Sequence, residues 1–312
     1  MDRSRSDRDV KAAQASNFDD LNEIVDGTPF DRHLRFLNFG YRVLDGETPR
    51  GPKLGFAFPN KDSAQLLFQT IGDTPLDGRR VVEVGCGRGG NLWLVRRYHE
   101  VAWTAGIDIA AGSIAHCAKT QDRPDALWAV GGAEDLPLAS GIADVLVNVE
   151  SGATYPDIER FFREAVRVLA VGGRLLYADI VRHDLVDPYC RLLERLGMAI
   201  DDQRDISANV VAARDERAER QQLAFATASP QDRATMAEFS GLTGSVLYRE
   251  FAGGAHRYVT VQATKRAEVA PPADRILTEE ERARSRATSD IAVEALTLTS
   301  RAGRSDADLP SS

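Results

Sequence analysis

The chain has 312 residues, 43% hydrophobic and 28% charged, which suffices for one large α/β domain or two small ones. A formal net charge of −8 gives no general attraction for a phosphate backbone, so nucleic acid is not an expected partner. No stretch of about 18 apolar residues occurs, the opening MDRSRSDRDVK has no apolar core, and Cys86, Cys117 and Cys190 form no C-x-x-C pair; the expectation is a cytoplasmic protein with free thiols, no membrane span and no leader.

In chain order, residues 1–16 are polar and read as a disordered N-terminus. Helical periodicity is expected over 61–71, 90–99, 112–119 and 157–169, the last with Ile158, Phe161, Phe162, Ala165, Val166 and Leu169 on one face. Short β-branched runs place strands at 80–84, 102–107, 125–130, 143–149, 173–180 and 257–264, with helix-like segments at 186–196 and 207–226 before the last strand. The alternation predicts a mostly parallel sheet with helices on both faces. Residues 267–312, through APPADR, EEERARSR and SRAGRSDADLPSS, lack a sustained apolar period and read as a disordered tail, leaving one domain over 17–266. Five dispersed histidines and three cysteines suggest no metal site.

The stretch VVEVGCGRGGNLWLV, residues 81–95, fits two glycine fingerprints. Gly85, Gly87 and Gly90 spell the dinucleotide pattern G-x-G-x-x-G; Gly85, Gly87 and Gly89 spell G-x-G-x-G, a loop suited to the amino acid end of a cofactor without phosphates. Glu83 leans toward the second, because an acid before the first glycine suits an ammonium and not a pyrophosphate. Asp108, at the end of the next strand, serves either cofactor, since a carboxylate accepts two hydrogen bonds from a vicinal ribose diol.

From VVEVGCGRGG through GIDIA and VGGAEDLPLASGIADVLVNVES to FFREAVRVLAVGGRLLYAD, the chain resembles class I S-adenosylmethionine (SAM) dependent methyltransferases. That resemblance implies a Rossmann-like α/β fold with a mostly parallel seven-stranded sheet, SAM as cofactor and S-adenosylhomocysteine (SAH) as product. It implies cofactor contacts from Tyr41, Glu83, Gly85, Cys86, Gly87, Asp108, Ile109, Ala133, Glu134 and Asn148. LNFGY (37–41), NVESGATYP (148–156) and DISANV (205–210) are similar to small-molecule methyltransferases of secondary metabolism and lipid tailoring, including the phthiotriol dimycocerosate enzymes. In that family the N-terminal segment and an insert before the last strand form a helical lid. Here these fall at about 17–60 and 205–250, with Phe36, Phe39 and Tyr41 expected to close over the ligands.

Two departures from the family pattern bear on chemistry. Gly132 stands where many relatives have the aspartate that reads adenine, and Ala153 stands where the histidine usually proposed as base would be. His183, Tyr155 and His33 are therefore the candidate bases, with Asp179 also considered; His99 and His116 read as surface groups and His256 as a hydrated turn residue. The expected reaction is O-methylation of a hydroxyl on a small molecule such as a polyketide, terpenoid or phenol. N- or C-methylation and a SAM-binding cyclase on the same fold are the alternatives.

Overall fold

The computed structural model describes residues 6–25, 35–55, 58, 60–224, 253–270 and 272–302. Seven strands form one sheet: β1 (Arg80–Val84), β2 (Trp103–Asp108), β3 (Ala126–Val130), β4 (Ala143–Val149), β5 (Leu169–Arg182), β6 (Met198–Asp205) and β7 (His256–Lys265). Their order is β3-β2-β1-β4-β5-β7-β6, with β7 antiparallel to both neighbours and the other pairings parallel. The order reverses between β1 and β4, so the carboxyl ends of β1, β2 and β4 open a crevice where a ligand can sit.

Alternation along the strands splits the core between the two faces. Val82, Val84, Leu146 and Leu175 pack with Phe161 and Phe162 of α5 (Ile158–Val168) and with Leu192 and Leu193 of α6 (Val186–Arg195). Val81, Val147 and Leu176 turn the other way, onto Leu66 and Leu67 of α2 (Lys61–Ile71) and Leu92 and Leu94 of α3 (Gly90–Tyr98). Period-two valine runs thus serve a sheet covered on both sides. α4 (Ala111–Thr120) follows β2, and α7 (Ser207–Ala224) leads from β6.

Three expectations need correction. β6 was missed because MAIDDQRD is an edge strand with alternately exposed, charged residues, a composition that blunts a sheet edge and weakens the strand signal. Residues 7–16 are not disordered: they begin α1 (Asp7–Val25). The described residues after Lys265 are not a free tail either: Leu277 is buried in the first core, and α8 (Glu279–Ala302) packs on α1 and on the short turn Gly152–Thr154.

Both helices escape an apolar-period test because what they bury is largely polar. Gln14 of α1 and Ser289 of α8, each almost fully buried, donate to the same acceptor, the carbonyl of Thr154. Ion pairs Arg284–Asp184 (2.7 Å) and Arg191–Glu281 (3.1 Å), together with Arg286–Asp7, tie down the N-terminal turns of α8. The connector is pinned as well. Buried Glu159 accepts from the backbone N–H of Ile276 (2.9 Å) and Leu277 (3.1 Å), and Arg163 donates to the carbonyls of Pro272 and Asp274, each at 2.8 Å. Among the described residues, no helix is long and apolar enough to cross a membrane.

Candidate functional site

The crevice is walled by the glycine loop, the ends of β2, β4 and β5, the segment 35–39, α1 and α8. Gly85 has φ +71°, Gly87 +49° and Gly89 +72°, all in the left-handed region that favours glycine. A Cβ on Gly85 would lie 2.3 Å from Ser151 Oγ, so this glycine permits contact between the loop and the segment after β4. Among the described residues, a Cβ on Gly87 would meet only Leu37, at 3.4 Å, and would otherwise project into the crevice. Gly90 starts α3, and a Cβ there would strike Arg35 O at 2.6 Å. The loop therefore needs all four glycines, for different reasons.

Asp108 fixes the loop: Oδ2 accepts from Gly87 N at 2.8 Å and Oδ1 from Ala110 N at 2.9 Å. Asp108 also lines the cavity. Glu83, 1% exposed, accepts from Asn91 Nδ2 through Oε1 at 2.7 Å, whereas Oε2 has no hydrogen-bond partner among the described residues. Burial pushes its pKa up to about 8, helped by the charge of Asp108. A buried carboxylate oxygen without a partner is costly unless a cation or donor reaches it. Cys86, Ile109, Ala133 and Glu134 also line the cavity; Glu134 Oε2 pairs with Lys11 of α1 at 2.8 Å.

Two expected cofactor contacts lie off this wall. Tyr41 is 5% exposed in the second core, its hydroxyl donating to Glu47 Oε2 at 3.1 Å, so it fills core space and does not close over the crevice. Asn148 lies wholly buried beneath the wall. Its Nδ2 sits within 3.0 Å of Val84 O, Ser151 Oγ and Tyr155 OH, which makes it a brace between β1 and the segment after β4. Phe36 and Phe39 do line the cavity, and Arg214 of α7 stacks 4.0 Å over the Phe39 ring while donating to its carbonyl.

The candidate bases separate sharply. His183 is exposed, its Nδ1 3.1 Å from Ala255 O, and it does not line the cavity; a three-residue turn carries it outward past the end of β5. His33 lies outside the described residues. Tyr155 lines the cavity, but burial raises its pKa far above the ordinary phenol value, and its hydroxyl is shared with Ser151 and Asn148. Asp179 is the acid that the crevice brings forward. It is 1% exposed, accepts from Ala153 N at 3.1 Å and Ile180 N at 2.7 Å, and burial pushes it up to about 7, with the nearby charge of Glu150 adding to the shift.

Glu150, at φ +53°, accepts from Phe39 N and Tyr258 OH, each at 2.7 Å, and shares the wall. His256 is 6% exposed and lines the cavity, contrary to its reading as a hydrated turn group, because β7 begins there and α8 covers it. His116 is likewise more than a surface group, its Nδ1 lying 2.9 Å from buried Arg88. Asp179 and His256 carry no local motif; the pairing of β5 with β7 brings both to one end of the sheet.

A sheet in this order, with a glycine loop after β1 and an acid ending β2, defines the Rossmann-like class whose members bind an adenosine-bearing cofactor in the crevice. Residues 82–177 match the family model described as a methyltransferase domain. The phthiotriol/phenolphthiotriol dimycocerosates methyltransferase of Mycobacterium leprae (strain TN) is 32% identical over 234 residues, 72% of this chain and 83% of that protein. The fatty-acid O-methyltransferase of Mycolicibacterium smegmatis is 33% identical over 58% of this chain and 65% of its own length. In three dimensions the crystal structure of the cyclase SpnF superposes with a TM-score of 0.63 at 21% identity, over 84% of this chain and 97% of that one, which speaks to the fold alone. The chain belongs to the class I SAM-dependent methyltransferases, in the same family as the phthiotriol/phenolphthiotriol dimycocerosates enzymes. SAM is its cofactor, and Glu83 Oε2, unpartnered among the described residues, and the open space in front of Gly87 fit a ligand whose amino acid end carries an ammonium.

Proposed function

We propose that this enzyme methylates a neutral hydroxyl on a small, largely apolar acceptor, and that Asp179 receives the proton. The observation that carries the reading is a buried carboxylate, held by two backbone N–H groups, lining the same cavity as the glycine loop and with a pKa near 7. A base whose pKa lies near the working pH is best matched to remove a proton as the new bond forms.

In this reading Asp108 accepts from the ribose hydroxyls, Glu83 meets the ammonium and the backbone of Gly85, Cys86 and Gly87 admits the amino acid tail. Ile109 and Ala133 flank the adenine, with Glu134 near its amino group. When bound, SAM supplies an electrophilic methyl for in-line displacement, and the chain's task is to hold donor and acceptor in attack geometry. Glu150 beside Asp179 makes this end of the cavity electronegative, which disfavours an anionic acceptor. The aromatic and aliphatic lining, Phe18, Phe36, Phe39 and Ile180 among it, suits an apolar body, as does kinship to proteins named for dimycocerosates and fatty acids.

The same acidic pair would draw an amine, so N-methylation is the second reading. Incubation with methyl-tritiated SAM and a panel of long-chain alcohols, phenols, fatty acids and alkylamines separates them. Label is expected in the alcohol or phenol ethers. Label confined to amine or ester products would overturn the hydroxyl assignment.

A further inference from the structure

A class I sheet is complete at β7, yet here the chain runs on and returns to the site. The cavity spans the sheet from Asp108 on β2 to His256 at the start of β7, and its far end is walled by Thr288 and Ile291 of α8. In the sheet order β2 and β7 stand on opposite sides of the β1–β4 reversal. The half beside β1 and β2 holds the glycine loop and Asp108; the half beside β5 and β7 holds Asp179, His256 and Thr288, which lies against His256, and Ile291 lines the cavity one helical turn beyond Thr288.

Several bonds hold α8 in that place. Ser289 Oγ donates to Thr154 O at 2.7 Å, Ser285 Oγ and Tyr189 OH lie 2.8 Å apart, and His256 Nε2 is 3.4 Å from Thr288 Oγ1. Ile291, 38% exposed, is an aliphatic side chain on the rim of the cavity with surface still open to contact.

We infer that α8 is the acceptor-side wall of this enzyme and that Ile291 and Thr288, with His256, set which acceptor fits. The occupant is the apolar body of the acceptor, lying against Ile291 with its reacting hydroxyl toward Asp179. This rests on the proposed reading that an uncharged apolar molecule enters this half of the cavity. A side chain contacting only the acceptor changes acceptor affinity and leaves SAH affinity alone, because the two ligands occupy different halves.

The test uses the full chain saturated with SAH and Nile red, a neutral apolar fluorophore, as the acceptor-side probe. Ile291→Trp is expected to weaken dye binding by at least tenfold with SAH affinity by calorimetry within twofold of wild type. Ala287→Trp, on the exposed face of the same helix, is expected to change neither. Should Ile291→Trp fail to bind SAH, Ile291→Asn serves instead, being smaller and polar, and is expected to weaken the dye several-fold. Undiminished dye binding in the Ile291 variant, equal loss in Ala287→Trp, or no dye binding by the SAH-saturated wild type overturns the assignment. Loss of dye in the Ile291 variant alone, together with no label transfer to any alcohol or phenol, sinks the hydroxyl reading and keeps the wall.

Discussion

The backbone N–H of Ala153 donates to Oδ2 of Asp179 at 3.1 Å, so the position at which the family pattern predicts a histidine instead contributes a main-chain donor to a buried acid. The partnership makes a clear kinetic prediction. Asp179→Asn keeps the side chain's size and one of its two acceptors for backbone N–H while removing the base, so turnover should fall by about 10²-fold or more with SAH affinity unchanged. In the wild type only the carboxylate accepts a proton, so turnover should climb as pH rises through about 7 and then level. A pH profile of kcat checks this, and a rate independent of pH across that range would remove Asp179 from the chemistry.

His183→Ala should leave turnover close to wild type, because the ring is exposed, rests on Ala255 O and does not reach the cavity. A large loss with intact SAH binding would show that the turn carrying His183 closes inward during catalysis.

Glu83 and Asp179, raised to about 8 and 7, both hold their protons more tightly in the fold than in the unfolded chain. Each therefore contributes stability that is full below its unfolded value of about 4 and is lost as pH rises through the folded value. The ligand-free protein should melt at a lower temperature near pH 8.5 than near pH 5.5, and Glu83→Gln with Asp179→Asn should flatten that difference. SAH carries an ammonium that favours ionised Glu83, so its affinity should rise between about pH 6 and 8 in wild type and lose that dependence in Glu83→Gln. Calorimetry across that range provides the measurement.

Asp108→Ala removes the acid proposed for the ribose and the acceptor for Gly87 N together. Loss of charged hydrogen bonds of this kind costs roughly 1.5–3 kcal/mol, so SAH affinity should drop by about 10- to 100-fold. Gly87→Val should do worse, because φ of +49° strains any branched side chain and the Cβ projects into the crevice. Unchanged affinity in Asp108→Ala would place the ribose elsewhere.

Truncation after Lys265 should destabilise the domain. It strips Leu277 from the core, leaves Glu159 without its two backbone donors and takes Glu268 from Lys265, whose buried ammonium also caps the carbonyls of Val166 and Leu169 at the end of α5. A buried leucine is worth about 1.5–3 kcal/mol on its own, so Tm should fall by roughly 5–10 °C. A truncated protein that melts with the full chain would mean that α8 docks without stabilising.

The strands of the parallel half, the helices between them and the glycine loop were legible because local rules dictate them. Valines alternating through Val81–Val84 and Val145–Val149 must face two cores, and Gly85, Gly87 and Gly89 mark places where positive φ or close approach excludes a side chain. Glu83 and Asp108 could be placed at the crevice from their position after such runs, since strand ends in an open α/β sheet meet there. Chain order thus determined the sheet's parallel half and the end of the cavity beside the glycine loop.

Only tertiary structure decided the other end. Asp179 and His256 are brought together by antiparallel pairing of distant strands, and His183, three residues past Ile180, is turned out by a local bend that sequence position does not reveal. Tyr41 and Asn148 sit in family motifs, yet packing draws both into the interior. The two terminal helices hid for a related reason: they dock through Gln14, Ser289, Arg284 and Glu281, whose burial and pairing depend on partners remote in the chain. Hydrophobic periodicity reports burial of apolar side chains, and it is silent where a helix is held by hydrogen bonds and ion pairs.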